Sequence, residues 1–420
     1  MSDLFKKLEE YNFWSRDGGI KTGFQRTRYL EMSERYLGNN LIKVILGQRR
    51  VGKSYLLRQI IEMLINKHKI NPKNIFYLNK ELIAFDDVKN YSDLEKLIVL
   101  YKKKLRIKGT VYLFLDEIQE IDGWERLVNS FSQDYKNEYE LFITGSNSNM
   151  LSSELATHIS GRYVDIPVYP FSFEEYIGFF GAQKNKESYL KYLSHGGLPE
   201  LYQFDNEESK QHYIGSLLDT IILNDVVARY TIRDVVLLET IFKFLARNVG
   251  SLFSIKKIVN FLNSASVATN IETVSHYISY LCNTFLIHQV DRYDIRGKKI
   301  FATHKKYYLN DGIFKSYISS TYTQDIGRYL ENALYVHYVS QGYTVYVGSL
   351  YNTEVDFVLE KGNIKKYVQI SYLLSDQKVV QREFGNLEKI KDSHEKIVIS
   401  LDDVKIENEQ GIKHARPWEL

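Results

Sequence analysis

Residues Gly47, Gln48, Arg49, Arg50, Val51, Gly52, Lys53 and Ser54 follow the pattern G-x-x-x-x-G-K-[ST]. Glycines in such a loop let backbone N–H groups turn inward around phosphate oxygens. Lys53 can reach the β- and γ-phosphates of a nucleotide, and the Ser54 hydroxyl can ligate Mg²⁺. A helix opening at this point aims its positive end at the anion. Further along, the run Tyr112-Leu113-Phe114-Leu115 ends in Asp116 and Glu117. Asp116 is expected to hold Mg²⁺ through water, and Glu117 to orient or deprotonate the attacking water. Taken alone, the pair also fits a solvated acidic strand end. One βα unit beyond a phosphate-binding loop, the catalytic reading leads. The chemistry implied is hydrolysis of Mg²⁺-ATP, with residues 47–54 and Tyr55 lining the nucleotide.

The elements that must position these groups follow from periodicity. The apolar runs LIKVIL, NIFYLN, TVYLFLDE, YELFITGS and RYVDIPVYP alternate with helical patterns. Strands apolar on both faces and separated by helices make a parallel, three-layer α/β domain. Capping-box spacings at Ser92/Glu95 and Thr269/Glu272 each open a helix. From Ser172 to about Val290 the pattern is helical. Three apolar helix faces lie within it, built on Leu237, Leu238 and Ile241, on Ile255, Ile258 and Val259, and on Val274, Tyr277 and Ile278. Two strands around Arg296-Gly297 follow, so this part reads as a winged helix-turn-helix. From about Gln324 a helix, three strands, a helix and a further strand make a separate small α/β domain. The expected organisation is a core at 1–170, a helical lid at 171–232, the winged helix at 233–322 and the small domain at 323–420.

The order of the phosphate loop, Asp116-Glu117 and a strand ending Ile143-Thr144-Gly145-Ser146-Asn147 resembles the AAA+ ATPases, in their STAND and initiator-like branch. The resemblance implies a polar sensor at the γ-phosphate, Ser146 or Asn147. It implies an arginine finger at Arg162, reaching a neighbouring subunit's nucleotide. It also implies that the turn Gly196-Gly197-x-Pro199 lies against the nucleotide. By residue type alone, Arg162 also reads as a surface cation and the glycine pair as a helix-ending turn. Arg26 and Arg28, just before the core, could touch nucleotide, but read more simply as solvated arginines.

The whole layout, from about Arg26 to Ser400, is similar to a prokaryotic AAA+ group with an ATPase core, a winged helix and a C-terminal restriction-endonuclease-like domain. Such a domain holds Mg²⁺ on a helix glutamate, a strand aspartate and an acid-x-lysine triplet, whose lysine activates water. Glu331 in GRYLEN matches the first position. Asp356, with Glu354 beside it, matches the second. The triplet reads Gln369-Ile370-Ser371, an uncharged ligand followed by no lysine. Lys361, Lys365, Lys366 and Lys378 are nearby in sequence. The expectation is a degenerate nuclease fold kept for binding or assembly.

Double-stranded DNA is the partner that a winged helix suggests. The candidate recognition helix exposes Asn270, Thr273, Ser275, His276 and Ser279 and carries no Arg or Lys, which is unusual where phosphates dominate affinity. The wing supplies Arg292, Arg296, Lys298, Lys299, Lys305 and Lys306, and Lys256 and Lys257 open the preceding helix. DNA contact and protein docking both remain open at this point.

Composition narrows the classes. The 420 residues suit two or three domains, and 44% hydrophobic with 25% charged residues is an ordinary globular balance. A net charge of +3 is too small to argue for nucleic acid by itself. The single cysteine, Cys282, excludes an intramolecular disulfide. With no apolar signal core or bilayer-length run, a cytoplasmic location and no membrane contact are expected. Three functions follow: an ATPase coupled to conformational change on DNA, a nucleotide-gated switch with protein partners, and, less favoured, an ATP-regulated nuclease. Self-association is compatible with each.

Overall fold

In the computed structural model, which describes residues 2–14, 21–136, 138–148, 161–319, 325–406 and 410–420, five parallel strands carry the phosphate loop. They are β1 (Ile42–Leu46), β2 (Ile75–Asn79), β3 (Val111–Asp116), β4 (Tyr139–Gly145) and β5 (Tyr163–Pro167). Their order is β2-β3-β4-β1-β5. Every residue of β1 is buried, as expected for a central strand of a parallel sheet covered on both faces. The helices of this unit are α1 (Ser2–Tyr11), α2 (Thr27–Glu34), α3 (Lys53–Asn66), α4 (Tyr91–Leu105) and α5 (Trp124–Ser132). The segment after α1 ties down the exposed edge of β2. Asn12 exchanges hydrogen bonds with the Tyr77 backbone at 2.7 and 2.9 Å, and the Trp14 Nε1–H donates to the Ile75 carbonyl at 2.6 Å. That occupies an edge strand that would otherwise be open to pairing.

The chain divides into two compact units, Met1–Val168 and Tyr169–Leu420. The second opens with α6 (Phe173–Phe180), α7 (Lys186–His195) and α8 (Glu207–Thr220), the last running into a π-helical stretch at Ile221–Ala228. Then come α9 (Val235–Arg247), α10 (Ile255–Ser264) and α11 (Ile271–Asn283), and the ribbon β6 (Ile287–Asp294) and β7 (Lys299–Leu309). The remainder is α12 (Ile313–Ile318), α13 (Ile326–Ser340), β8 (Thr344–Leu350), β9 (Thr353–Lys361), β10 (Ile364–Ile370), α14 (Gln377–Glu388), β11 (Glu395–Ile399) and β12 (Lys413–Ala415).

One seven-stranded sheet, β12-β11-β10-β9-β8-β6-β7, holds both the ribbon and the C-terminal strands. Strand β6 joins β8 in parallel, with Tyr293 opposite Gly348. A side chain at 348 would obstruct this merger, since an added Cβ would stand 2.8 Å from Val355 Cβ and 3.0 Å from Ile295 Cδ1. The ribbon is therefore part of a larger sheet, with β6 interior and β7 at its edge. Helix starts also shift slightly from the capping-box reading. Asn90 caps α4 and Asn270 caps α11, each accepting backbone N–H bonds from an extended conformation; asparagine is at least as good a cap as serine or threonine. Among the described residues no helix is long and apolar enough to cross a membrane.

Candidate nucleotide site

The loop after β1 is shaped by close backbone approach. A Cβ at Gly47 would lie 2.2 Å from the Val168 carbonyl oxygen, so only glycine fits there. Arg50 (φ 70°) and Gly52 (φ 97°) adopt left-handed conformations, and α3 begins at Lys53. Lys53 is buried. Its Nζ donates to the carbonyls of Gly47 (3.1 Å) and Gln48 (3.3 Å) and pairs with Glu117 Oε1 at 3.2 Å.

Asp116 ends β3 with no exposed surface. Its Oδ1 accepts from the Thr144 hydroxyl at 2.6 Å and its Oδ2 from the Tyr77 hydroxyl at 3.1 Å; the Ser54 side chain bonds to it as well. Burial and the neighbouring Glu117 charge push its carboxyl above the ordinary range, against the Thr144 and Ser54 hydrogen bonds. Glu117 leaves the strand at φ 52°. Burial would raise its carboxyl, but the Lys53 ammonium and the Gln119 amide outweigh burial and hold it low. Thr144 also accepts the Glu117 backbone N–H at 2.8 Å, so one hydroxyl sets both acids. Neither Thr144 nor Tyr77 was singled out from sequence. The available signal for Thr144 is register, because β4 pairs with β3 through Leu115 and Ile143, which brings Thr144 beside Asp116.

Arg26 corrects the sequence reading. It is 2% exposed, its Nη1 donates to the Val51 carbonyl at 3.1 Å, and its backbone N–H donates to Gln59 Oε1 at 3.0 Å. It braces the phosphate loop rather than facing solvent. Arg49 pairs with Glu81 at 2.6 Å. Tyr55 is half exposed, with the Arg58 guanidinium 4.1 Å over its ring. Ser146 and Asn147 are buried just past β4, and the Ser146 Oγ has no hydrogen-bond partner among the described residues.

A family model described as an AAA domain matches residues 39–177, and one described as a domain of unknown function matches residues 186–324. An uncharacterized protein of Haemophilus influenzae is 36% identical over 388 residues, spanning 90% of this chain and 94% of that protein. An uncharacterized protein of Methanocaldococcus jannaschii is 32% identical over 395 residues, spanning 89% and 84%. The chain belongs to the same family as these two proteins and carries an AAA domain. A solved Walker-type ATPase of Pyrococcus abyssi is similar at 14% identity with a TM-score of 0.47, covering 70% of this chain and 96% of that one.

Within the AAA domain, Arg162 stands apart from the phosphate loop. It is exposed, and its carbonyl accepts the Ile42 N–H at 3.0 Å, beside the start of β1. The loop follows the other end of that strand, about 16 Å away at ~3.3 Å per residue. Pro199 belongs to the second unit, where it opens a short 3₁₀ turn. The preceding glycine turn is taken up by a carboxylate of the same unit. Asp311 accepts the N–H of Gly197 (2.6 Å) and of Ile313 (3.0 Å), and that of Leu198 as well. Burial pushes the Asp311 carboxyl up to about 6.

The C-terminal acids do converge, around a lysine that sequence had placed in the wing. Lys306 Nζ lies 2.9 Å from Glu331 Oε1, 2.7 Å from Glu354 Oε1 and 3.9 Å from Asp356 Oδ1. The four lysines considered from sequence are elsewhere. Lys361 donates to the Gln341 carbonyl, Lys365 pairs with Glu360, Lys366 pairs with Glu395, and Lys378 is exposed at the start of α14. Ser371, in the triplet's lysine position, donates to the Leu373 carbonyl at 3.0 Å. Gln369 is buried, and the next residue, Ile370, donates its N–H to Asp356 at 2.8 Å.

Proposed function

We propose that the chain is an ATPase that couples Mg²⁺-ATP binding and hydrolysis to a change in the arrangement of its domains. The observation that carries this is the grouping of Lys53, Ser54, Asp116 and Glu117 at the carboxyl ends of β1 and β3. The Ser54 hydroxyl and Asp116 carboxylate form an all-oxygen donor set, which suits a hard cation such as Mg²⁺. Bound Mg²⁺ would screen the charge of the β- and γ-phosphates. Lys53, on the first turn of α3, exchanges its loop-carbonyl and Glu117 contacts for phosphate oxygens. Glu117, ionised because its carboxyl is held low, accepts the proton of the attacking water. Asn147 senses the γ-phosphate at the end of β4. Arg162 acts in trans, since it lies at the amino end of β1 and its own subunit's loop follows the carboxyl end.

For the partner, duplex DNA at a winged helix spanning α9–α11 and the ribbon is supported by the exposed Lys256, Lys257, Arg296, Lys298 and Lys299. A second reading, a switch docking a protein, is favoured by two observations. Lys306 and Lys305 are spent on internal ion pairs, Lys305 with Asp291, and the Arg292 guanidinium lies over Phe301. The same helices expose Val236, Phe261 and Ile271. ATP binding and turnover, with and without duplex DNA, test both parts. Lys53→Ala is expected to weaken ATP binding by about a hundredfold or more; equal affinity would remove the site assignment. DNA-stimulated turnover that declines with salt supports the DNA reading, and turnover indifferent to DNA supports protein docking.

A further inference from the structure

The cluster around the buried Lys306, in which Glu331 and Asp356 are largely covered and Glu354 is exposed at the rim, belongs to no part of the nucleotide reading and stands independently of it. Three elements build it. Lys306 and Tyr308, two apart on β7, face the same side of the strand; Glu331 comes from α13, and Glu354 and Asp356 from β9. The Lys306 side chain is 3% exposed, although lysine is almost never fully buried unless paired.

Each acid is already engaged within the chain. Glu331 Oε1 accepts from both Lys306 (2.9 Å) and the Tyr308 hydroxyl (2.6 Å). Its Oε2 faces the backbone at Gly250, where an added Cβ would stand 3.0 Å away. Asp356 Oδ2 accepts the Ile370 N–H at 2.8 Å. The ammonium thus stands among three carboxylates, and among the described residues no three acids are grouped to hold a metal ion as they stand. The Gln369 Oε1 is buried with no hydrogen-bond partner among the described residues; Gln369 lies between Val368, which pairs with Phe357, and Ile370, whose N–H donates to Asp356.

We propose that the Lys306 ammonium is the resident cation of the Glu331–Glu354–Asp356 cluster, filling the place of a divalent metal ion and fastening the ribbon to the C-terminal strands. The acids return the favour electrostatically. Burial would lower the lysine's affinity for its proton, but Glu331, Asp356 and Glu354 outweigh burial and hold it charged. Burial and the Glu331 charge push Asp356 upward, against Lys306 and the Ile370 N–H, so the cluster carries less negative charge than three free carboxylates. Arg382, also paired with Glu383, adds positive charge near Asp356. A restriction-endonuclease-like arrangement needs the metal and the lysine side by side. Here the lysine has taken the metal's position, and no other lysine of the C-terminal strands reaches the acids.

The proposal has a converse: removing the ammonium should leave three carboxylates and the Gln369 amide oxygen, an all-oxygen set fit for a hard divalent ion. Titration of nucleotide-free protein with Mn²⁺, read by electron paramagnetic resonance, tests it. Wild type is expected to bind no Mn²⁺ that Asp356→Asn removes. Lys306→Met is expected to bind Mn²⁺ at least about tenfold more tightly, with a matching rise in melting temperature, and to lose both on adding Asp356→Asn. Wild-type Mn²⁺ binding abolished by Asp356→Asn would overturn the proposal, and so would a folded Lys306→Met protein that binds no more Mn²⁺ than wild type. Should Lys306→Met not fold, the double variant Lys306→Met/Glu331→Gln removes one charge of each sign and is read in the same way. The wild-type titration decides without any variant.

Discussion

Two lysine–carboxylate clusters in this protein use the same side chains for opposite ends. Lys53 lies on a loop of left-handed turns at the start of a helix, with Glu117 at 3.2 Å and backbone carbonyls as its other partners. Lys306 lies within a long strand at the edge of a seven-stranded sheet, with three carboxylates around it and a tyrosine hydroxyl sharing one of them. The first lysine has replaceable partners and a helix N-terminus beside it, so an anion can take their place. The second is enclosed by groups that would be left with uncompensated charge if it moved. What separates a ligand-binding lysine from a structural one is the backbone that carries it and whether its partners can be exchanged.

The largest effect should come from breaking the enclosed cluster. Lys306→Met is expected to lower stability by about 3–5 kcal/mol in urea unfolding without divalent ions, because it strands buried acids. A loss below about 1 kcal/mol would mean that the cluster is solvated. At the open cluster, Lys53→Ala should abolish tight ATP binding while leaving the Mn²⁺ behaviour of the Lys306 cluster unchanged, measured on the same preparation.

A smaller effect concerns Asp311, which holds the glycine turn. Its folded pKa of about 6 lies above the ordinary aspartate value, so the folded state binds the extra proton. Its contribution to stability is therefore full below pH ~4 and lost as pH rises through about 6. Asp311→Asn should gain on wild type across that window by roughly 1–3 kcal/mol, seen as a flatter melting temperature against pH. An unchanged slope would assign the titration to other groups. The smallest effect is expected at the rim of the enclosed cluster. Gly250→Ala, at φ 72° and pressing on the Glu331 carboxylate, should cost about 1–2 kcal/mol, measured by thermal unfolding.

The two clusters also differ in how far they were legible. The phosphate loop is contiguous, and the fully apolar strands around it fix a parallel sheet by local pattern, so Lys53, Ser54, Asp116 and Glu117 could be named with their neighbours. Thr144, Tyr77 and Arg26 escaped because cross-strand register and a loop bracing contact bring them in, and neither is written in spacing. Glu331, Glu354 and Asp356 were visible as acids on the right elements. Lys306 was misplaced because a basic residue in a β-ribbon resembles a phosphate contact until the ribbon is known to join a larger sheet. Its neighbours carried the missed hint: Tyr307, Tyr308 and Leu309 are buried, so both faces of β7 are covered at that point. The merger itself depends on Gly348, a single residue with no local signature.

The most direct measurement is steady-state Mg²⁺-ATP hydrolysis by wild type and Glu117→Gln, with ATP binding followed in parallel. The expected result is wild-type turnover that falls about a hundredfold or more in the variant while ATP remains bound. Equal turnover in the two proteins would contradict the role of Glu117 and, with it, the assignment of the Lys53 cluster as the hydrolytic site.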